Sequence, residues 1–353
     1  GNVLSRTDAA QAASASALTP ATRTYTYDSL YQLISATGRE NANASAGIDN
    51  PAVAINPDPN QYKDYTRSFE YDTGGNLIKI THQGATHYAR NITVSDQGNQ
   101  AMLAREGLTA ATVSDHFDVA GNQHTLSTGQ SLTWDGRNQL SRLTTIARSG
   151  ADDDRESYLY DASGQRVRKT NLRQTSGSQV CQQTIYLPGL ERHTTTSGSQ
   201  VQEELDVILI GQAGRSQVRV LCWQTGKPDA IPDQQIRYSL DDLLGSSQLE
   251  LDAEGKVLTQ EEYYPYGGTA IRAAKSQTEV KYKIVRYSGK ERDASGLYYY
   301  GMRYYQPWLG RWLNADPEGT ADGLNVYRMV QNNPATFVDP DGTEHCQSSV
   351  DVR

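Results

Sequence analysis

The sequence is poor in cysteine, phenylalanine and methionine. Its 353 residues include 3 Cys, 3 Phe and 3 Met. The cysteines, Cys181, Cys222 and Cys346, are odd in number and lack metal-ligand spacing, so the sequence predicts neither a disulfide framework nor a metal site. We therefore expect no metal and no other cofactor. We interpret Cys181 and Cys222 as small, buried apolar residues.

Membrane and export signals are also missing from the sequence. No window approaches the run of about 18 apolar residues that a membrane helix needs. The first residues, Gly1 to Ala13, lack the charged and apolar halves of a signal peptide. We expect no direct membrane insertion, and passage out of the cell would need another route.

Charge and histidine placement argue against two further classes of protein. The formal net charge is −8, and it is spread along the chain without a basic stripe, so we expect no nucleic-acid partner. The 6 histidines lie in neither a Ser-His-Asp nor an HExxH context, which argues against a serine hydrolase or a zinc protease.

The residues that are abundant indicate an all-β fold. The 22 Tyr and 30 Gly, with many Thr, Ser and Gln, suit half-exposed pleated strands joined by tight turns. We expect almost no long helix and expect tyrosine hydroxyls to be paired inside the protein. The low hydrophobic content, 37%, also fits inward positions that are less apolar than an ordinary core.

A short unit recurs in which an aromatic or apolar residue and Asp precede a turn and a strand. In each copy Asp should bond the backbone amides ahead of it, and Gly should supply a positive φ, so one copy is one β-hairpin. Because a lone hairpin cannot bury its apolar face, successive hairpins should pair into a continuous sheet. The copies begin at Tyr27-Asp28, Tyr71-Asp72, Phe117-Asp118, Trp134-Asp135, Tyr160-Asp161 and Leu251-Asp252.

Three stretches interrupt this pattern. They are Glu40 to Asp64, Arg148 to Glu156 and Thr194 to Gln202, and we interpret them as surface loops at hairpin ends. The acidic run at residues 152–154 is interpreted as a solvated face rather than a cation site.

The last quarter of the chain, Arg286 to Gly342, contains two Asp-Pro pairs in an aromatic block. Asp316 and Asp339 begin these pairs. Two carboxylates in an apolar setting cannot both ionise easily, and a shared proton is the basis of acid–base peptide cleavage. Asp-Pro and Asp-Gly are also ordinary turn openers, so a purely structural role stays open. Asp322 and Asp341, each next to Gly, are interpreted as turn residues.

The repeat units resemble the YD repeats of RHS proteins, and Arg286 to Gly342 resembles the RHS repeat-associated core. The segments RYSLDDLLGSSQLELD, EEYYPYGGTA and RYSGKERDASGLYYYGMRYYQPWLGRW most resemble the C component of bacterial insecticidal Tc toxin complexes. The resemblance covers essentially Gly1 to Gly342. It implies a β-sheet spiral shell, closed together with a B component, around an unfolded C-terminal toxic effector that a pore-forming A component translocates.

The same resemblance implies an aspartyl autoprotease in the core. Its motifs place the catalytic carboxylates at Asp316 and Asp339, a supporting arginine at Arg303, and the cut after the DPDG segment, at Gly342 and Thr343. Thr343 departs from the family, in which Leu or Met is common at this position. The arginines that could replace Arg303 as the partner are Arg292, Arg311 and Arg328.

These inferences divide the chain into a shell fragment at 1–285, a core and plug at 286–342, and the start of a variable region at 343–353. Because only Glu344 to Arg353 follow Thr343, we expect the effector to lie outside this sequence and the chain to be a fragment. Two functions remain open. One is a self-cleaving shell released from the cell within a toxin complex, and the other is a non-enzymatic RHS scaffold for cell-surface or secreted contacts.

Overall fold

The computed structural model describes residues 1–8, 19–43 and 58–347, and in this part the protein is built almost wholly of antiparallel β-strands. The all-β prediction is confirmed. One α-helix of five residues, α1 (Gln277–Lys281), is described, together with short 3-10 turns such as Ala110–His116. No described helix is long and apolar enough to cross a membrane.

Nineteen strands form two large sheets rather than the single continuous sheet that was predicted, because β7 and β8 are separated by a long connection and do not pair. Within each sheet, every strand pairs with its neighbours in sequence. The seven-stranded sheet consists of β1 (Ser5–Thr7), β2 (Thr22–Tyr27), β3 (Leu33–Asn41), β4 (Tyr62–Tyr71), β5 (Leu77–Gln83), β6 (His87–Val94) and β7 (Ala101–Leu103). The twelve-stranded sheet consists of β8 (Ser131–Trp134), β9 (Leu140–Ile146), β10 (Asp154–Tyr160), β11 (Arg166–Gln174), β12 (Gln179–Leu187), β13 (Leu190–Ser197), β14 (Gln200–Ile210), β15 (Val218–Thr225), β16 (Gln234–Asp241), β17 (Ser247–Leu251), β18 (Val257–Tyr263) and β19 (Thr269–Ala274). We call these two sheets the wall.

The wall curves until its last strand, β19, lies against β3. Glu262, at the end of β18, accepts hydrogen bonds from Arg39 on β3 at 2.5 Å and from Arg23 on β2 at 2.9 Å. Farther on, Arg6 on β1 lies 3.6 Å from Asp242 in the turn between β16 and β17. The start of the chain therefore overlaps the end of the wall, as in one turn of a spiral.

The predicted hairpin turns are confirmed. Asp72 Oδ1 accepts hydrogen bonds from the amides of Gly74 and Asn76, at 2.9 and 2.8 Å, and Gly75 has a φ of 69°. All copies expected from the sequence share this turn, in which one carboxylate oxygen binds the amides two and four residues ahead. They are Asp28, Asp72, Asp118, Asp135, Asp161 and Asp252. Asp242 forms the same turn and was not predicted.

The core segment, residues 286–342, packs against the inner face of the wall. It carries the short strands β20 (Glu291–Arg292), β21 (Tyr298–Tyr299), β22 (Tyr304–Gln306), β23 (Arg311–Trp312) and β24 (Phe337–Val338). One apolar cluster combines Leu297, Leu309 and Leu313 of this segment with wall residues that include Leu33 and Leu140. Because each fully buried leucine contributes roughly 2 kcal/mol, this cluster holds the core segment inside the wall.

The tyrosine runs of the core segment are packing elements, as predicted. The Tyr298 hydroxyl donates to the Gly267 carbonyl at 3.0 Å, and the Tyr305 hydroxyl donates to the Tyr266 carbonyl at 3.0 Å. Pairing of the hydroxyls removes the cost of burying them, so tyrosine can replace the phenylalanine that the sequence lacks.

The inner face of the wall carries buried charged side chains beside apolar ones. On β15 to β17, buried Arg219 lies 2.5 Å from Glu250, and buried Arg237 lies 3.1 Å from the other oxygen of Glu250. A cavity of about 530 Å³ is lined both by these strands and by the core segment, with Leu221 and Asp293 in its lining. This arrangement fits the expectation of a low apolar content at inward positions.

The three predicted surface loops need correction. Thr194 to Gln202 is mostly strand, because β13 and β14 meet at a turn after Ser197. Arg148 to Glu156 contains the start of β10, where Asp154 is buried and lies 2.8 Å from Arg148. The ion pair offsets the cost of burying the carboxylate, so Asp154 need not be solvated. Glu40 to Asp64 includes strand at both ends, and its middle, residues 44–57, lies outside the described residues.

The cysteines also differ from the prediction. Cys181 and Cys222 are half-buried rather than buried, and Cys346 is exposed. Cys222 lies on β15 between Leu221 and Trp223, which belong to or pack against an apolar cluster, and the alternation of side chains along a strand turns Cys222 to the opposite face. Cys181 lies in the first half of β12, where the residues from Gln179 to Gln183 are all half-buried. Among the described residues, no group of His, Cys, Asp and Glu has the arrangement of a metal site.

Candidate functional site

Asp316 lies in a turn that follows β23, and its two oxygens have different partners. Oδ1 accepts a hydrogen bond from the Glu318 amide at 2.9 Å, and the Gly319 amide donates to the Asp316 carbonyl at 3.0 Å. These two contacts also occur in the repeat turns, but the contact of Oδ1 with the amide four residues ahead is not found for Asp316 among the described residues. Oδ2 lies 2.7 Å from Nη2 of Arg303, closer than the 3.6 Å between Oδ2 of the repeat-turn residue Asp242 and Arg6.

Asp339 follows β24 and opens the tightest turn of the core segment. Its Oδ1 accepts hydrogen bonds from the amides of Asp341, Gly342 and Thr343, at 3.2, 2.6 and 3.2 Å. Gly342 has a φ of 90°, and a Cβ at this position would lie 2.9 Å from the Arg303 backbone nitrogen. Glycine is therefore required both for the turn and for its close approach to Arg303.

Arg303 joins all the residues that the sequence singled out. Its guanidinium lies over the Trp312 ring, 4.2 Å from the centroid, and this contact fixes its orientation. Nη2 lies 2.7 Å from Asp316 Oδ2 and 3.6 Å from Asp339 Oδ2. Nε donates to the Gly342 carbonyl at 2.5 Å, and Nη2 donates to the Thr343 carbonyl at 3.2 Å.

Burial sets the protonation of both carboxyl groups. It raises the pKa of Asp339 to about 6, against the lowering effects of Arg303 and of the amides that Asp339 accepts. Burial also raises the pKa of Asp316 above its usual range, and the Arg303 charge opposes this shift. Near neutral pH a proton can therefore be gained or lost here, as general acid–base chemistry requires.

The arginines that could have replaced Arg303 have other partners. The Arg292 guanidinium lies over the Tyr298 ring, and Arg311 donates to the Asn99 carbonyl. Arg328 is close enough to Asp322 for the carboxylate to influence its pKa, which burial lowers. Within the part of the chain that the structure describes, the ion pairs of Asp316 and Asp339 are both with Arg303.

The two aspartates set aside as turn residues have different surroundings. Asp341 accepts from the Thr343 hydroxyl at 2.8 Å and stays within its own turn. Asp322 instead contacts His345, with Oδ1 and Nδ1 2.5 Å apart. No sequence pattern indicates this pair, since the two residues are 23 positions apart in the chain and lie in no recognised motif.

Lys290 is a further contact that sequence reasoning missed. Its ammonium group donates to the Pro340 carbonyl, inside the turn that Asp339 opens. Burial lowers its pKa, while the nearby Asp339 and Asp341 oppose this shift. A groove of about 450 Å³, lined in part by Lys290, Asp339 and Arg215, opens beside the turn and is wide enough to admit water.

The cluster has the parts needed for hydrolysis of a peptide bond. It contains two carboxyl groups with raised pKa values and a guanidinium that donates to two successive backbone carbonyls. It also holds a backbone amide, that of Thr343, against a carboxylate oxygen of Asp339. The peptide bonds beside these groups belong to the chain itself.

Comparisons with known proteins agree with the fold. A family model described as the Tripartite Tc toxins repeat matches residues 85–129. Toxin subunit YenC2 of Yersinia entomophaga is 52% identical over 324 residues, which make up 90% of this chain and 33% of that protein. Toxin subunit YenC1 of the same organism is 49% identical over 322 residues, with the same coverage. The chain thus spans about a third of the length of these relatives.

Solved structures also agree with the fold of this chain. The crystal structure of TcdB2-TccC3 matches with a TM-score of 0.89 and 55% identity, over 92% of this chain and 16% of that one. A structure of the Photorhabdus luminescens Tc holotoxin pore matches with a TM-score of 0.89 and 53% identity, over 95% of this chain and 16% of that one.

Proposed function

Because this chain is a Tc toxin C-component-like RHS protein, we propose that it forms part of a toxin-encapsulating shell and cuts its own backbone after the DPDG segment. The wall would enclose a C-terminal effector, and the core segment would close one end and carry the cut. The buried charged residues of the inner face, such as Arg219, Arg237 and Glu250, support this role, because they reduce the apolar surface on which an unfolded chain could collapse.

The partners follow from the same proposal. A B component would complete the shell, a pore-forming A component would engage through the B component, and the complex would act outside the producing cell. In support, a matching solved structure holds TcdB2 with TccC3, and another is a Tc holotoxin pore. The division into shell at 1–285, core at 286–342 and variable region from 343 belongs to the same proposal.

The observation that carries the autoprotease is the shared use of one guanidinium. Asp316 and Asp339 both reach Nη2 of Arg303, and the same side chain donates to the Gly342 and Thr343 carbonyls. A repeat turn needs only its Oδ1 contacts. The contacts of Oδ2 with a buried arginine are additional to any turn function.

We propose separate roles for the two carboxyl groups, based on their distances to Arg303. Asp316, closer to Arg303, would be ionised and take a proton from a water molecule as the water oxygen bonds to the Gly342 carbonyl carbon. Arg303 Nε would stabilise the negative charge that develops on the carbonyl oxygen. Asp339, protonated, would give its proton to the Thr343 nitrogen as the carbon–nitrogen bond breaks. The products are a carboxyl group on Gly342 and an amine on Thr343.

The test is to express the natural full-length protein with Asp316→Asn, Asp339→Asn or Asp252→Asn and to examine each on a denaturing gel. The first two variants should remain uncut, since asparagine keeps the turn but cannot exchange the proton. Asp252→Asn is the matched control, because Asp252 forms the same turn without Arg303, and it should be cut like wild type.

A non-enzymatic scaffold is the second candidate, and one observation favours it: Oδ1 of Asp339 accepts from the amides two and four residues ahead, as in the repeat turns, and Oδ1 of Asp316 accepts from the amide two residues ahead. The scaffold predicts one uncut chain in the wild type and in every variant.

A further inference from the structure

The chain that follows Thr343 turns back along the strand leading into Asp339. The two-residue strand β25 (Cys346–Gln347) pairs antiparallel with β24, with Cys346 opposite Val338 and Gln347 opposite Phe337. Both sides of the proposed cut therefore belong to one hairpin. We call Glu344 to Gln347 the return arm.

A side-chain contact anchors this arm between Thr343 and β25. His345 Nδ1 lies 2.5 Å from Asp322 Oδ1, and its ring meets the Phe337 ring edge-on, with centroids 5.0 Å apart. The side chains of His345 and Asp322 are only 20% and 15% exposed, so both are held rather than free in solvent. Gln331 Nε2 contacts the same oxygen of Asp322 at 3.4 Å.

The place of Asp322 in the chain makes this contact relevant to the cut. Asp322 lies in the loop that follows the Asp316 turn, and the Gly323 amide donates to the Thr320 carbonyl beside it. The contact with His345 thus ties the return arm to the loop that carries one proposed catalytic carboxylate. The other carboxylate, Asp339, already holds the amides on the upstream side.

The contact between His345 and Asp322 also compensates for the small number of hydrogen bonds between β24 and β25. A two-residue ladder supplies few hydrogen bonds, and an isolated hairpin is marginal in water. Without the His345 contact the arm could move, and with it the Thr343 carbonyl and amide that Arg303 and Asp339 contact. Displacement of a reacting group by about 1 Å can cost 10²-fold in rate.

We propose that His345 and Asp322 are positioning residues that hold the downstream side of the proposed scissile bond against Arg303. This inference rests on the proposed autoprotease and deepens it. Neither side chain takes part in the proton transfers. They act through Thr343, whose position they fix.

The test follows self-cleavage over time. The natural full-length protein is made by cell-free translation with a short radiolabel pulse, and the cut fraction is measured during the chase. His345→Leu should slow the cut about tenfold or more, because leucine keeps the packing on Phe337 but loses the hydrogen bond. His345→Asn should restore the rate to within about threefold, since its amide nitrogen sits where Nδ1 was and can donate to Asp322.

Asp322 supplies an independent pair of variants. Asp322→Asn keeps an acceptor oxygen and should be cut at nearly the wild-type rate, whereas Asp322→Leu should be as slow as His345→Leu. His87→Leu is the control, because His87 is an exposed histidine on β6, and its rate should be that of wild type.

The outcomes separate the two proposals. Wild-type cutting that Asp339→Asn blocks, together with an unchanged rate in His345→Leu and Asp322→Leu, overturns the positioning role and leaves the autoprotease standing. A His345→Asn variant that is cut as slowly as His345→Leu also overturns the positioning role. The cutting rate would then not depend on a hydrogen-bond donor at residue 345, as expected if the substitutions merely disturbed the structure. A wild-type protein that is never cut overturns both.

Discussion

The two carboxylate oxygens of Asp339 have different roles. Oδ1 accepts three backbone amides, as a turn aspartate does, and Oδ2 faces Arg303. The turn contacts favour the ionised form, but burial dominates and raises the pKa to about 6. The residue therefore holds a proton at a pH where ordinary aspartates have lost theirs.

This pKa predicts how Asp339 affects stability. Because the folded protein favours the protonated acid, the contribution of Asp339 is fully present below the pKa of the unfolded chain and is lost as pH rises through about 6. Asp339→Asn should therefore raise the free energy of unfolding on the order of 2 kcal/mol at pH 7.5. At pH 4 it should change little. Urea unfolding at the two pH values checks this, and an equal effect at both would contradict it.

Removing Arg303 should lower the free energy of unfolding, whereas Asp339→Asn should raise it. Arg303→Met leaves Asp316 and Asp339 buried without their shared guanidinium, which should cost about 3 kcal/mol at pH 7.5. Since the loss of Arg303 raises both carboxyl pKa values further, the cost should shrink as pH falls and the groups become neutral. Thermal melts from pH 4.5 to 7.5 test this. Arg137→Met, at an exposed arginine, is the control and should show no pH trend.

Among individual residues, the sequence predicted the five that meet at Arg303 but not the residues that hold them in place. Asp316 and Asp339 stand out through their Pro neighbours, and the family resemblance points to Arg303, Gly342 and Thr343. The contacts of Lys290 with Pro340 and of His345 with Asp322 depend on how separate loops meet, and no local pattern records that.

At the scale of the element, the turn is the unit that repeats. Asp72 and Gly75 show its two requirements, a carboxylate for the amides and a residue that accepts positive φ. Tyr31 and Asn138 take the glycine position with φ of 64° and 59°, so glycine is preferred there but not required. Asp242 escaped prediction because the charged residue Asp241, neither aromatic nor apolar, precedes it, although Gly245 stands at the expected spacing.

A turn aspartate away from the site should matter for stability alone. Asp72→Ala loses two amide contacts and should lower the free energy of unfolding by about 1–2 kcal/mol. Asp72→Asn keeps the acceptor oxygen and should be within about 0.5 kcal/mol of wild type. Neither should alter self-cleavage. Urea unfolding measures the difference, and equal losses in both variants would show that the charge, not the turn contact, is what stabilises.

Strand boundaries were the weakest part of the sequence prediction. Polar residues such as Thr194 to Ser197 are typical of loops, yet here they continue β13, because the wall is polar on its inner face as well as its outer face. A strand with two polar faces lacks the alternation on which sequence analysis depends. The hairpins were predictable from their turns, and the lengths of their strands were not.

At the scale of the whole molecule, closure of the wall is the central structural event. Strands β1 to β7 and strands β8 to β19 follow one another by local pairing, but the contact of β19 with β3 joins parts of the chain that are far apart. Glu262 lies at this seam with Arg39 and Arg23. Local pattern predicts the strands, whereas their closure depends on the accumulated twist of the wall, which no short segment specifies.

The seam should open when its carboxylate is removed. Glu262→Gln takes away the charge that two arginines contact and should cost about 3 kcal/mol. Hydrogen exchange should rise together in β3 and β19, with little change in β11 to β13. A rise confined to β18, or an equal rise across the wall, would show that the seam does not hold the closure.

Self-cleavage is tested most directly by the intact mass, after denaturation, of the natural full-length protein in wild-type and Asp339→Asn forms. An aspartyl autoprotease should give two fragments in wild type, with the upstream one ending at Gly342, and a single chain in Asp339→Asn. An upstream fragment ending at Thr343 would move the cut by one residue and keep the autoprotease. One uncut chain in both forms would rule out the autoprotease and leave Asp316 and Asp339 as turn residues of a scaffold.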